Sequence, residues 1–243
     1  MATQAQPLRA DLDKASCFFS SSIGLKFLMG ITGIGLVLFI IFHLLGNLQI
    51  FLGQNALNEY AELLEELGGL LWIARIGLIA IFLTHVISAI KLKRKNTNAR
   101  PVVYAYQNTV QASFASRVMF GGGSVIFFFV LFHLAHFTWT LINPEFANLH
   151  DQQGRHDVFS MVVLGFSNPI IAFTYILALT AVCLHLSHGI PSFLQSLGFY
   201  SQKYTQQLRL VGPAIAGLIY LGYISIPIAV LLEIISLPPG VHY

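Results

Sequence analysis

Six of the nine histidines in this 243-residue chain fall inside long apolar stretches: His43, His85, His133, His136, His185 and His188. An imidazole can relay a proton or bind a metal ion through a neutral nitrogen, and it does little else that would justify such a position. Ionisable groups are costly within a membrane and usually functional there. The bland reading of one such ring is a hydrogen bond between helices. Six together point to chemistry.

Helix-forming stretches must position these rings, because the composition is that of a membrane protein. The chain has a mean hydropathy of +0.72, 56% hydrophobic residues and only 9% charged ones. A soluble fold of this size needs a larger charged shell. Five apolar segments reach the roughly 20 residues that one helical crossing requires. They run approximately 26–51, 70–90, 118–142, 168–190 and 211–235. Only helices or closed barrels satisfy the backbone in lipid. The expected fold class is therefore an all-α integral membrane protein, one domain over 1–243 with five transmembrane helices in a bundle.

The connections read as acidic (53–69), basic (91–117), polar (143–167) and short and basic (191–210). Leu57 to Leu67 has the spacing of an amphipathic helix lying along the surface. Residues 1–22 lack the apolar core of a cleaved signal. Cys17 and Cys183 form no CxxCH, which excludes covalent c-type haem.

Charge orients the bundle. Arg9, Lys14, Lys26, Lys91, Lys93, Arg94, Lys95, Arg100, Arg117, Lys203 and Arg209 share one side of a five-span chain. Arg75 and Arg155 fall on or near the other, with Glu59, Glu62, Glu65, Glu66, Glu145, Asp151 and Asp157. The positive-inside rule puts the N-terminus in the cytoplasm and the C-terminus outside. The basic run KLKRK then serves topology beside anionic lipid and calls for no nucleic acid.

Orientation sorts the histidines by depth. At 1.5 Å per residue, His43 and His133 lie roughly 24–26 Å from the cytoplasmic edge, and His85 and His185 about 10 Å from it. Two imidazoles at one depth on facing helices are what a six-coordinate haem requires. Two such pairs, roughly 15 Å apart, would form an electron path across the bilayer. A zinc site would need further ligands at the same depth. A proton relay is the rival, although it would use carboxylates within the spans, and only Glu233 comes near one.

A short internal echo agrees with this pairing. Phe42-His43-Leu44-Leu45 matches Phe132-His133-Leu134-Ala135, and Thr84-His85-Val86-Ile87-Ser88-Ala89-Ile90 matches Leu184-His185-Leu186-Ser187-His188-Gly189-Ile190. Spans one–two and three–four then read as two copies of a hairpin with one ligand per helix. His136 and His188 have no counterpart, which leaves them beside the iron ligands.

Other residues fit a haem and also fit ordinary packing. Gly30, Gly33, Gly35, Gly121, Gly122 and Gly123 leave room for a flat macrocycle or for a neighbouring helix. Ser22, Lys26, Ser116 and Arg117, near the cytoplasmic interface, could hold haem propionates or lipid headgroups. Arg75, a cation in the outer half of span two, could hold an outer propionate or snorkel. The outer glutamates offer a proton route or a solvated helix face.

The strings SSIGLKFLMGITG (21–33), FHLLGNLQIFLG (42–53), ASFASRVM (112–119), FHLAHFTW (132–139) and LHLSHGIPSFLQSLG (184–198) carry a family resemblance. They resemble the cytochrome b membrane-anchor subunit of succinate dehydrogenase/fumarate reductase, in its five-helix form with two b haems. The resemblance covers about 21–198, and the fifth span fits by position only. It implies two haem b groups, with His43 and His133 on the iron distal to an iron–sulfur subunit and His85 and His185 on the proximal iron. It also implies a flavoprotein and an iron–sulfur subunit as partners, menaquinone or ubiquinone as substrate, and the cell's inner (cytoplasmic) membrane as location. Dicarboxylate chemistry would belong to the flavoprotein. A hydrogenase or formate-dehydrogenase cytochrome b, or a His-based proton or metal transporter without redox cofactor, is the alternative.

Overall fold

The computed structural model describes residues 18–100, 102, 112–199, 203 and 205–238. Arg9, Lys14, Cys17 and the last five residues lie outside the described residues. Among these residues seven α-helices follow one another: α1 (Ser22–Asn47), α2 (Gln54–Glu66), α3 (Gly69–Asn98), α4 (Phe114–His133), α5 (Val158–Ser167), α6 (Pro169–Ser196) and α7 (Thr205–Leu231). Among the described residues five stretches are long and apolar enough to cross a membrane: Ser22–Leu52, Gly69–Asn98, Phe114–Thr138, Pro169–Ser196 and Arg209–Leu231. Their outer faces carry exposed Ile73, Ile76, Phe128, Leu177, Leu218 and Leu221, as lipid-facing surfaces should.

Capping side chains start the helices where the sequence changes from polar to apolar. Ser21 Oγ accepts from Gly24 N at 3.0 Å, Ser113 Oγ from Ser116 N at 3.1 Å, and Asn168 Oδ1 from Ile170 N at 2.9 Å. Pro191 does not end the fourth span, and α6 runs on to Ser196. A proline in a helix interior removes the bond to the carbonyl four residues back, here Ser187. That carbonyl and the Pro191 ring press on α7 at Gly212, where an added Cβ would meet them at 2.6 and 2.4 Å. Glycine is what lets α6 and α7 approach so closely.

Other expected boundaries change too, and span five ends at Leu231 instead of 235. Span two continues past Ile90 to Asn98, with Lys91, Lys93, Arg94 and Lys95 in helical geometry, Lys95 Nζ donating to Ser20 O and Lys93 Nζ 5.8 Å from the Phe120 ring centre. Span three ends at Thr138, in a widened π-type turn (Leu134–Thr138) in which Trp139 N donates to Leu134 O at 2.7 Å. Such turns often mark functional positions.

The larger correction concerns 143–167, expected as a polar connection. Its second half is α5, and Phe159, Ser160, Met161, Val162, Val163, Gly165 and Phe166 are buried. Ten residues are too few to cross a bilayer, so the apolar run folds inward and roofs the end of the bundle on which α2 lies. The amphipathic segment is α2, with Leu57 and Asn58 buried and Glu59, Glu62, Glu65 and Glu66 exposed.

A polar cluster fixes this roof. Asp157 is fully buried at the start of α5 and accepts from Gln54 Nε2 (2.8 Å), Asn58 Nδ2 (2.9 Å) and Ser160 N (3.1 Å). Asn58 Oδ1 in turn accepts from Phe159 N at 3.0 Å. Burial alone would raise the Asp157 carboxyl, but the bonds from Ser160, Asn58 and Gln54 outweigh it and hold the group below its ordinary value. Arg155 pairs with Asp151 at 2.8 Å beside it.

Candidate haem-binding histidine pairs

Antiparallel connections place the rings of α1 and α4 at one level and those of α3 and α6 at another. His43 and His133 face each other with ring centres 5.9 Å apart, and His85 and His185 with centres 6.3 Å apart. The rings that the depth argument pairs are the rings that meet. Two imidazoles on one six-coordinate ion stand about 6 Å apart, from two metal–nitrogen bonds of about 2 Å and two ring half-widths. Both pairs have that spacing. No group of three or more His, Cys, Asp or Glu gathers for a bare metal ion among the described residues.

The surroundings of each pair follow from its helices. At the outer pair, Phe39 stacks on His43 at 5.3 Å, one turn earlier in α1, and Phe129 stands 6.1 Å from His133 in the same relation in α4. Tyr223 of α7 lies 6.2 Å from the His43 ring and donates its hydroxyl to Ile40 O at 2.8 Å. At the inner pair the neighbours are small. A Cβ added to Gly33 would lie 3.6 Å from His85, and one added to Gly123 would lie 3.7 Å from His185. These two glycines face imidazoles, whereas Gly30 and Gly35 face Leu197 and Ile81 in ordinary helix packing.

His136 is fully buried. Its Nδ1 is 3.0 Å from the Tyr175 hydroxyl, which is also 3.4 Å from His133 Nδ1. One hydroxyl has one proton, so it donates to one ring and accepts from the other. Phe137, Phe132 and Phe146 close around His136 at 4.0, 5.8 and 5.9 Å. Gly165 of α5 packs on the same side, where a Cβ would lie 2.8 Å from Phe137 and 3.1 Å from His136. His188 is half-buried, one turn beyond His185 on α6.

The remaining candidates lie at the periphery. Ser22 and Lys26 are exposed in the first two turns of α1, and Arg117 is exposed in the first turn of α4. Ser116 Oγ donates to Ser113 O at 2.9 Å. Arg75 is exposed and holds its guanidinium over its neighbour Trp72, 5.2 Å from the ring centre.

Sequence reasoning missed Tyr175 and Thr32. Thr32 Oγ1 lies 3.1 Å from His85 Nδ1. A polar side chain within a span, at the depth of a histidine on the helix it packs against, is the signal that would have found both.

The donor set fits haem b. Each pair offers two neutral nitrogens from facing helices, and the Nδ1 atoms of His85 and His133 are engaged elsewhere, which leaves Nε2 for iron. Comparison with known protein families, with curated proteins and with solved structures gives no match to this chain.

Proposed function

We propose that this chain is the membrane-anchor cytochrome b subunit of a succinate dehydrogenase/fumarate reductase, complex II of a respiratory membrane. It would carry electrons between an iron–sulfur subunit and a membrane quinone, menaquinone or ubiquinone. The observation that carries the reading is the pair of facing histidine couples at two depths of one helical bundle. The motif resemblance between 21 and 198 supports the same conclusion. The basic side of the chain faces the cytoplasm in this account, and the membrane is the inner one.

His43 with His133, and His85 with His185, would each hold one haem b, and Lys26, Ser22 and Arg117 would be available to bind propionates. The bound haems supply one-electron redox chemistry, and the protein sets their position, burial and ligand basicity. With its Nε2 given to iron, His133 would carry its proton on Nδ1 and donate it to Tyr175. Tyr175 then donates to His136 Nδ1, so His136 keeps its own proton on Nε2. The α5 roof packs on Phe137 and His136 beside the outer pair.

Proton conduction without a redox cofactor is the second reading, and the His133–Tyr175–His136 chain favours it. That chain has no continuation at the inner pair, where His185 Nδ1 has no hydrogen-bond partner among the described residues. Glu233 is exposed beyond the end of α7. The electron-carrier reading is the stronger.

Isolation of the native complex tests it. A covalent flavoprotein and an iron–sulfur subunit should co-purify with the chain and reduce quinone with succinate. Co-purification with a hydrogenase or formate dehydrogenase instead would reassign the partner.

A further inference from the structure

The two hairpins hold the inner pair through contacts that repeat almost atom for atom. From a Cβ built on Gly33, His85 Cε1 and Nδ1 lie at 3.6 and 4.0 Å; from one built on Gly123, His185 Cε1 and Nδ1 lie at 3.7 and 4.0 Å. The residue before each glycine differs, and it is Thr32 in α1 and Gly122 in α4. The difference has a direct consequence. Thr32 Oγ1 stands 3.1 Å from His85 Nδ1, while the buried Nδ1 of His185 has no hydrogen-bond partner among the described residues.

Proton counting fixes the direction of the bond. The Thr32 hydroxyl is buried and donates its single proton to the Leu28 carbonyl at 2.7 Å. Toward His85 the oxygen can then only accept, so the ring proton sits on Nδ1 and Nε2 keeps its lone pair. Threonines within helices commonly bond back to the preceding turn. Here that habit turns the oxygen into an acceptor for another helix.

We propose that Thr32 is a positioning residue that holds His85 as the Nδ1–H tautomer, and that Gly122 leaves His185 without the equivalent bond. The two ligands of the inner site are thereby unequal donors. The inference rests on the haem reading above. A hydrogen bond from Nδ1–H raises the basicity of the opposite nitrogen and favours the oxidised metal. His85 has that help and His185 lacks it. The asymmetry can be reversed, because an added Cβ at Gly122 meets nothing within 4 Å. Gly122 also lines, with His185, Met119 and Leu184, a cavity of about 210 Å³.

Redox titration of the purified complex, followed at the reduced b band, is the test. Thr32→Val should move one of the two midpoint potentials to more positive values and leave the other in place. The wave that moves should be the one abolished by His185→Ala. Thr32→Ser should restore it, and Gly122→Thr should move it to more negative values. Two unmoved waves in Thr32→Val, or no recovery in Thr32→Ser, would overturn the proposal. Should Thr32→Val lose haem, ¹⁵N spectra of labelled histidine in the same preparation carry the test. One ring fixed as Nδ1–H in the wild type should become a tautomer mixture in the variant, and identical populations would overturn the proposal. A wild type without any b band defeats the haem reading and leaves this tautomer test standing.

Discussion

The inner and outer histidine pairs share a scaffold and differ in nearly everything around it. Gly33 and His43 stand ten residues apart in α1, as do Gly123 and His133 in α4, so helical register presents both helices alike. Around the inner pair, the close neighbours include Gly33, Gly123, the Thr32 hydroxyl and the Met29 carbonyl, with Met119 and Leu184 lining a cavity beside His185. The outer pair is walled by Phe39, Phe129, Phe137, Tyr175 and Tyr223, and roofed by α5. The repeated features fix where the imidazoles sit. The unrepeated ones decide which nitrogen carries a proton, and so what each pair can do.

Single ligand substitutions should split the two pairs most sharply. His43→Ala or His133→Ala should remove one b-type spectral component, and His85→Ala or His185→Ala the other. His136→Ala should retain both components, since its ring reaches His133 only through Tyr175. Loss of a haem in His136→Ala would show that the ligand lies one turn further on.

The roof should come apart independently of the inner pair. Asp157→Ala removes the acceptor of Gln54 Nε2 and one of the two acceptors of Asn58 Nδ2, and should cost about 3 kcal/mol, read as an earlier thermal transition in detergent. The pH dependence has a definite sign. A carboxyl held below its ordinary value of 3.8 stabilises the fold fully above that value and loses its contribution as the pH falls through the folded one. Acid between pH 4 and the folded value should therefore weaken the roof in the wild type and have less effect in Asp157→Asn.

Smaller effects should separate packing from hydrogen bonding on the outer side. Gly165→Ala places a methyl 2.8 Å from Phe137 and should cost about 1–3 kcal/mol, with perturbation of the outer haem signal only. Tyr175→Phe removes one hydroxyl from between two rings and should cost about 1 kcal/mol. Its clearer readout is a shift of the outer potential with the inner one unmoved.

The pairing of the histidines was legible in the sequence because span ends and a fixed rise per residue determine depth. Their faces were legible because FHLL and FHLA share one register. The roof was not. The run VFSMVVLGFS is too short to span, and nothing local announces that it turns inward instead of joining a polar connection. That depends on Asp157, Asn58 and Gln54, which meet from positions about 100 residues apart. Tyr175 reads as one more aromatic in an apolar helix, and Thr32 as a residue bonded to its own preceding turn. Their second partners exist only once antiparallel helices bring them level with a histidine. The π-type turn after His133 leaves no mark in the sequence either, although it begins where the two histidines do.

Haem content per chain tests the central claim most directly. Pyridine haemochrome assay of the purified protein should give two b haems per chain, falling to one in His133→Ala and to one, with the other spectral component lost, in His185→Ala. A wild-type protein without b haem would contradict the account, as would one whose content is unchanged in both variants.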